Sequence, residues 1–171
     1  MMILSQCVPW EGKTGMKTSP NFLALSAAFL LAVSVGAVSS SAITPDEIKI
    51  EDNKVSVPLS DKPGDPQAGR KWFTNRKLGN CLACHANKEL ASHPFHGEIG
   101  PPMDGVAERY QAAELRAILV DSKAVFGPET IMPSFYRTKT GARTLKKFQG
   151  KTILNGQQIE DIIAYLLTLK Q

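Results

Sequence analysis

Cys81-Leu82-Ala83-Cys84-His85 sets two thiols and an imidazole within five residues. This CxxCH run is the attachment pattern of a c-type haem. The thiols add across the two vinyl groups of the porphyrin, and the imidazole that follows offers a nitrogen to the iron. On a helical turn, positions i, i+3 and i+4 share a face, so Cys81, Cys84 and His85 can address one flat macrocycle together. Two other chemistries use a CxxC pair. A redox dithiol is expected beside a βαβ pattern, which the flanking sequence lacks. A zinc site needs two more ligands, and His93 and His96 offer them only at a C-x8-H-x2-H spacing after Cys84, shorter than the usual finger.

An imidazole that binds iron through one nitrogen is held by an acceptor at the other. The carbonyl of Pro101 is the expected acceptor for His85. Four residues are candidates for the opposite face: Met132, Met103, His93 and His96. Met132 lies 47 residues beyond His85, in a Pro-containing loop that can present a thioether with little entropy to lose. Met103, 18 residues past His85, reads as core packing against the haem. His93 and His96 read as exposed loop histidines. Met132 is therefore the expected distal ligand. His/Met ligation closes both axial positions and favours electron transfer over binding of oxygen or peroxide.

The elements that must position these groups are helical. Asp65-Pro66 opens a first helix, with Asp as cap and Pro at the first helical position, predicted to run to about Lys77. Ala68, Trp72 and Phe73 form its apolar face, and Gly69 allows another backbone to approach. Gly79 ends it ahead of the CxxCH turn. Residues 86–100 form a loop that Gly100-Pro101-Pro102 stops. A short helix is expected over Met103–Arg109. A better one runs from Gln111 to about Asp121, where Ala112, Leu115, Ile118 and Leu119 repeat at helical spacing. Phe126-Gly127-Pro128 breaks it, and Ile131-Met132-Pro133-Ser134-Phe135 follows as an extended loop. Asn155, with Gln158 three residues on, starts the last helix, which carries the stripe Ile159, Ile162, Ile163, Leu166 and Leu167 beside Tyr165.

Ahead of this domain the chain reads as an export signal and an arm. Met16-Lys17-Thr18 begins a short n-region, Phe22 to Val33 is an interrupted apolar core, and Ser40-Ser41-Ala42 places small residues before a cut at Ile43. An uncleaved anchor is the alternative, but the apolar run is short for a stable membrane span. Residues 1–15 read as lying upstream of the true start, so Cys7 is expected to be missing from the product, leaving Cys81 and Cys84 as its cysteines. Residues 43–64 form the arm or linker. Ile48-Lys49-Ile50 and Val55-Ser56-Val57 suggest a small hairpin or an extended piece, either a disordered tail or a segment that packs on a partner.

The whole chain has a formal net charge of +4. Without residues 1–42, 18 basic and 15 acidic side chains remain, a weak excess that argues against a nucleic-acid partner. Arg137, Lys139, Arg143, Lys146, Lys147 and Lys151 follow one another with no acid among them. They form either a solvated loop or a docking face for an acidic partner near the haem edge.

Together these residues resemble the class I cytochromes c: a helix with Gly69 and Trp72-Phe73, CxxCH, Gly100-Pro101, a later Met, and a C-terminal helix bearing Tyr165. The resemblance covers residues 65–171. It implies an all-α fold, a small helical domain wrapped round one covalent haem c, with an N-terminal extension. Gly79 to His85, Gly100 to Ala107, Phe126-Gly127-Pro128 through Met132-Pro133-Ser134-Phe135-Tyr136-Arg137, and Ile159 to Leu166 are similar to the SoxX family. Those are the monohaem subunits of SoxAX cytochromes in sulfur-oxidising bacteria. That likeness implies a periplasmic heterodimer with a SoxA-like haem subunit, which conjugates thiosulfate to a cysteine of a SoxYZ carrier. The substrate site is then on the partner, and this chain accepts electrons and hands them to a downstream cytochrome. The residues alone leave open a stand-alone periplasmic electron shuttle, or a gas-binding or peroxidase-like haem protein.

Overall fold

The computed structural model describes residues 44–171. The expected signal segment and Cys7 lie outside the described residues. Among the described residues, regular structure is helical apart from one isolated bridge between Glu51 and Lys54. Five α-helices follow in order: α1 (Pro66–Phe73), α2 (Val106–Arg109), α3 (Ala112–Val120), α4 (Ser122–Phe126) and α5 (Gly156–Leu166). Short 3-10 turns cover Cys81–Ala83, Lys88–Leu90 and Lys146–Phe148. No helix among the described residues is long and apolar enough to cross a membrane.

The frame of the domain is the crossing of α1 and α5. Asp65 caps α1 by accepting from the Gln67 amide (2.8 Å), with Pro66 at its first position. Asn155 and Gln158 form the reciprocal capping box that starts α5, at 2.9 Å each way. At the crossing Gly69 faces α5 so closely that a Cβ there would sit 1.9 Å from the Asp161 carbonyl oxygen. Only glycine permits that approach. Beside it the Phe73 and Tyr165 rings meet edge to face, 5.6 Å between centroids. The Asp161 carboxylate is buried but fully used: it accepts from the Asp65 amide (2.9 Å), the Gln157 amide nitrogen (2.8 Å) and the Trp72 indole (3.1 Å).

The first helix stops at Phe73, short of the expected Lys77. The Thr74 hydroxyl turns back onto the carbonyls of Arg70 and Lys71 (3.1 and 3.2 Å). The Asn75 carbonyl then accepts both the Leu78 and Asn80 amides (3.1 Å each), winding the chain tightly into the Cys81 turn. A side chain competing for helix carbonyls gives no breaker signal in sequence.

The segment read as an arm is folded onto this same domain. Asp52 and Asn53 take left-handed backbone angles (φ 48 and 57) and make a two-residue turn, closed by Glu51–Lys54 backbone bonds of 3.0 and 2.8 Å. Ile48, Val55 and Leu59 are buried in the common core. The buried Arg116 of α3 and Glu160 of α5 form a two-pronged ion pair (2.7 and 2.8 Å). Arg116 also donates to the Val55 carbonyl (2.8 Å), and Glu160 accepts the Leu59 amide (2.9 Å). Each charge has its hydrogen bonds met, the condition under which a buried pair is tolerated.

Candidate functional site

Cys81 opens the 3-10 turn Cys81–Ala83, which Cys84 ends and His85 follows; the Cys81 carbonyl accepts the amides of Cys84 (3.1 Å) and His85 (2.9 Å). Asn80 enters the turn in the left-handed region (φ 49), a conformation that Asn tolerates. The two cysteines and the histidine are thus held close together by one tight backbone turn. His85 Nδ1 lies 2.7 Å from the Pro101 carbonyl oxygen. A carbonyl only accepts, so Nδ1 carries the hydrogen and Nε2 is left with a free lone pair.

Gly100 makes this contact possible, a role that sequence reasoning missed. A Cβ at residue 100 would meet the His85 ring at 2.3 Å (Cε1) and 2.6 Å (Nδ1). The loop is fastened to the turn at three further points. Gly97 N–H donates to the Leu82 carbonyl, Gly100 N–H to the Cys84 carbonyl and Met103 N–H to the Ala86 carbonyl, each at 2.8 Å. Met103 is buried in the core, as its packing role predicts.

His93 and His96 are half-buried, in contrast to the expected exposed histidines. His96 Nδ1 accepts from the Asn87 amide (3.3 Å), and Nε2 donates to the Leu90 carbonyl (2.9 Å), so neither nitrogen is available to a metal. Among the described residues no three His, Cys, Asp or Glu side chains converge as metal ligands, and the Cys2His2 zinc arrangement is not assembled. A dithiol exchanger is no better supported. Burial pushes the Cys81 thiol up to about 12, whereas exchange chemistry needs a lowered thiol.

A hydrogen-bonded group supports the loop from below. Asn87 donates to the Tyr165 hydroxyl (2.9 Å), and that hydroxyl donates to Glu89 (2.7 Å), which also accepts from Arg70 (3.0 Å). Burial, and then the Glu89 carboxylate, holds the Tyr165 phenol well above its ordinary value, so it remains a donor. The loop that follows His85 is thereby tied to the α1–α5 crossing.

Met132 is half-buried against the core, between the exposed Ile131 and Pro133. Its backbone is held by residues that the sequence did not single out. The Ser122 hydroxyl donates to the Met132 carbonyl (2.6 Å). Asp121, at the α3–α4 junction, accepts from the Ser134 hydroxyl (2.8 Å) and from Arg137 Nε (2.9 Å). Burial acts to raise the Asp121 carboxyl, but bonds from Ser134, Arg137 and the Ala124 amide, with the Arg137 charge, outweigh it and hold it below the ordinary aspartate value. The Phe135 amide donates to the Leu119 carbonyl (3.0 Å), and the Phe135 carbonyl accepts the Ile153 and Leu154 amides (3.0 and 3.1 Å). Arg137 spends its remaining reach on the Pro45 carbonyl (2.7 Å), so it is a structural tie rather than a free docking charge.

These residues fit a covalent haem: two thiols and an imidazole close together on one backbone turn, a ring tautomer with Nε2 open, and a buried apolar core that includes Leu82, Met103 and Phe135. The cytochrome c family model matches residues 66–170. No curated protein matches the chain. Among solved structures, the crystal structure of SoxXA from P. pantotrophus is similar, with 38% identity and a TM-score of 0.70, over 77% of this chain and 100% of that one.

Proposed function

The chain belongs to the cytochrome c family and is a SoxX-type cytochrome; from that premise we propose that it is the electron-transfer haem subunit of a SoxAX-type enzyme. That enzyme works in the periplasm, where it joins thiosulfate to a cysteine of a SoxYZ-type carrier. The observation that carries this reading is the Cys81–Cys84–His85 turn, backed by Gly100 and Pro101, in a chain that covers the whole of a SoxXA chain at 38% identity. The haem, when bound, supplies a one-electron redox site, so a two-electron conjugation uses it twice or shares it with a second centre.

The chain's own residues have separate tasks. Cys81 and Cys84 hold the macrocycle covalently. His85 presents Nε2 to the iron, its ring angle fixed by Pro101 and Gly100. Met132 presents its thioether from a loop braced by Ser122 and, through Ser134, by Asp121. Cys81 and Cys84 are the cysteines of the described residues and both are taken by the haem, which supports a thiosulfate site on a SoxA-type partner. Electrons pass on to a downstream cytochrome.

Two measurements on the purified periplasmic protein test this. Its intact mass should exceed that of the polypeptide by one haem, and a second haem subunit should copurify. Met132→Ala should lose the ferric Met–iron charge-transfer band and show a lower potential, while the haem stays attached. An unaltered spectrum in that variant removes Met132 from the iron, and a mass equal to the bare polypeptide removes the haem.

A further inference from the structure

Four non-glycine residues among the described ones take a left-handed backbone: Asp52, Asn53, Asn80 and Phe95. The first three are of the types that tolerate it, because a short polar side chain can bond locally. Phe95 (φ 65) is not, and a bulky residue is strained there. Burial does not offset that strain, since Phe95 is 81% exposed. Nor is its loop loose: Gly97 is bonded to Leu82, His96 to two backbone groups and Gly100 to Cys84. A strained aromatic is thus held out into solvent from a rigid support.

Its surroundings point to a protein partner. The Arg76 guanidinium lies 5.5 Å from the centre of the Phe95 ring. Between Phe95 and the attachment turn is a cleft of about 390 Å³ whose walls include Thr74, Arg76, Leu82, Ala83 and His93. Ala83, between the two haem cysteines, is exposed. Ile99, in the same loop, is 66% exposed. From Pro66 to Lys88 the chain carries Arg70, Lys71, Arg76, Lys77 and Lys88 and no acid, and of these Arg70 is paired with Glu89. An exposed aromatic and an arginine side by side, on the rim of a cleft lined by both polar and apolar residues and next to a stretch rich in basic residues, make the kind of anchor that carries most of the energy of an interface.

We propose that Phe95 and Arg76 form the anchor by which this chain docks the SoxA-type haem subunit, Phe95 entering an acid-rimmed apolar socket on that subunit. This inference rests on the functional reading above and adds the place of contact. It sets the partner against the turn that holds the haem cysteines, the short route for an electron.

The test uses the haem-loaded chain and the purified SoxA-type subunit, with Kd measured by calorimetry and Tm measured on the free chain. Phe95→Gly and Phe95→Asn suit the left-handed backbone, so each should melt at or above the wild-type temperature. Both should nevertheless bind the subunit roughly tenfold or more weakly, the scale of an interface anchor. Arg76→Glu should weaken binding at least as much. Variants that bind as tightly as wild type overturn this inference alone. A wild-type chain that binds no such subunit overturns the heterodimer reading and this inference with it.

Discussion

The imidazole of His85 works only at one angle, and that angle is set by an absent side chain. The backbone of Gly100 lies against the ring, and its carbonyl-side neighbour Pro101 takes the Nδ1 hydrogen at 2.7 Å. Gly100→Ala would place a methyl 2.3 Å from ring Cε1, inside any tolerable contact. Either the ring tilts or residues 97–101 retreat, and both break the Nδ1–Pro101 bond. We expect a loss of about 1–3 kcal/mol, the usual cost of overpacking, read as a lower urea midpoint. The visible spectrum should change too, since a freed imidazole is a poorer donor to iron. An unchanged midpoint and spectrum would show that the loop yields at no cost.

At the scale of elements, the α3–α4 junction is the brace of the Met132 loop. Asp121 caps α4 by accepting from the Ala124 amide, and it holds Ser134 and Arg137 on the far side of Met132. Its folded carboxyl lies below the ordinary value of 3.8. A carboxyl depressed by folding contributes stability that is fully present above the unfolded value and lost as pH falls through the folded one. Asp121→Asn should therefore cost about 1–2 kcal/mol at pH 7, discounted for partial exposure. Its deficit against wild type should shrink as pH drops below about 4. Urea midpoints across that range check it, and a deficit independent of pH would remove the carboxylate charge from the account. Much of this level was legible in sequence. The caps at Asp65 and Asn155, Gly69 at the crossing and the stripe of α5 are local signals with one reading each. The brace was not, because Asp121 and Ser134 are 13 residues apart and meet only after α4 turns the chain. The arm was read, but not its packing on its own domain, for a related reason. Val55 and Leu59 sit among polar residues, and the groups that hold them, Ala113 and Arg116 for Val55 and Gly156 and Glu160 for Leu59, lie far along the chain.

For the whole molecule, charge is sorted along the chain, and folding brings the basic pieces together. No acid occurs between Glu129 and Glu160, a span that holds the exposed Lys139, Arg143, Lys146, Lys147 and Lys151. The acid-free stretch that contains the CxxCH turn lies beside it, because Lys147 Nζ donates to the Lys77 carbonyl (2.7 Å). A Cβ on Gly79 would lie 3.4–3.9 Å from Cys81 Sγ, Phe135 and Leu154, so the attachment cysteine and the span between Glu129 and Glu160 come close together here. A field of this kind acts over about 10 Å at moderate salt, so it governs encounter more than residence. Phe95 does the reverse, since a buried anchor sets how slowly a complex comes apart. The two contributions are thus separable by kinetics. Lys139→Glu, Lys146→Glu and Lys151→Glu combined should slow association with an acidic partner by roughly tenfold or more at low ionic strength, with dissociation little changed. The difference should vanish as salt is raised. Phe95→Gly should leave association nearly intact and speed dissociation at every salt concentration. Stopped-flow mixing of the haem-loaded chain with its partner subunit measures both. Association rates for the triple variant that match wild type across ionic strength would reduce the basic face to an ordinary solvated loop.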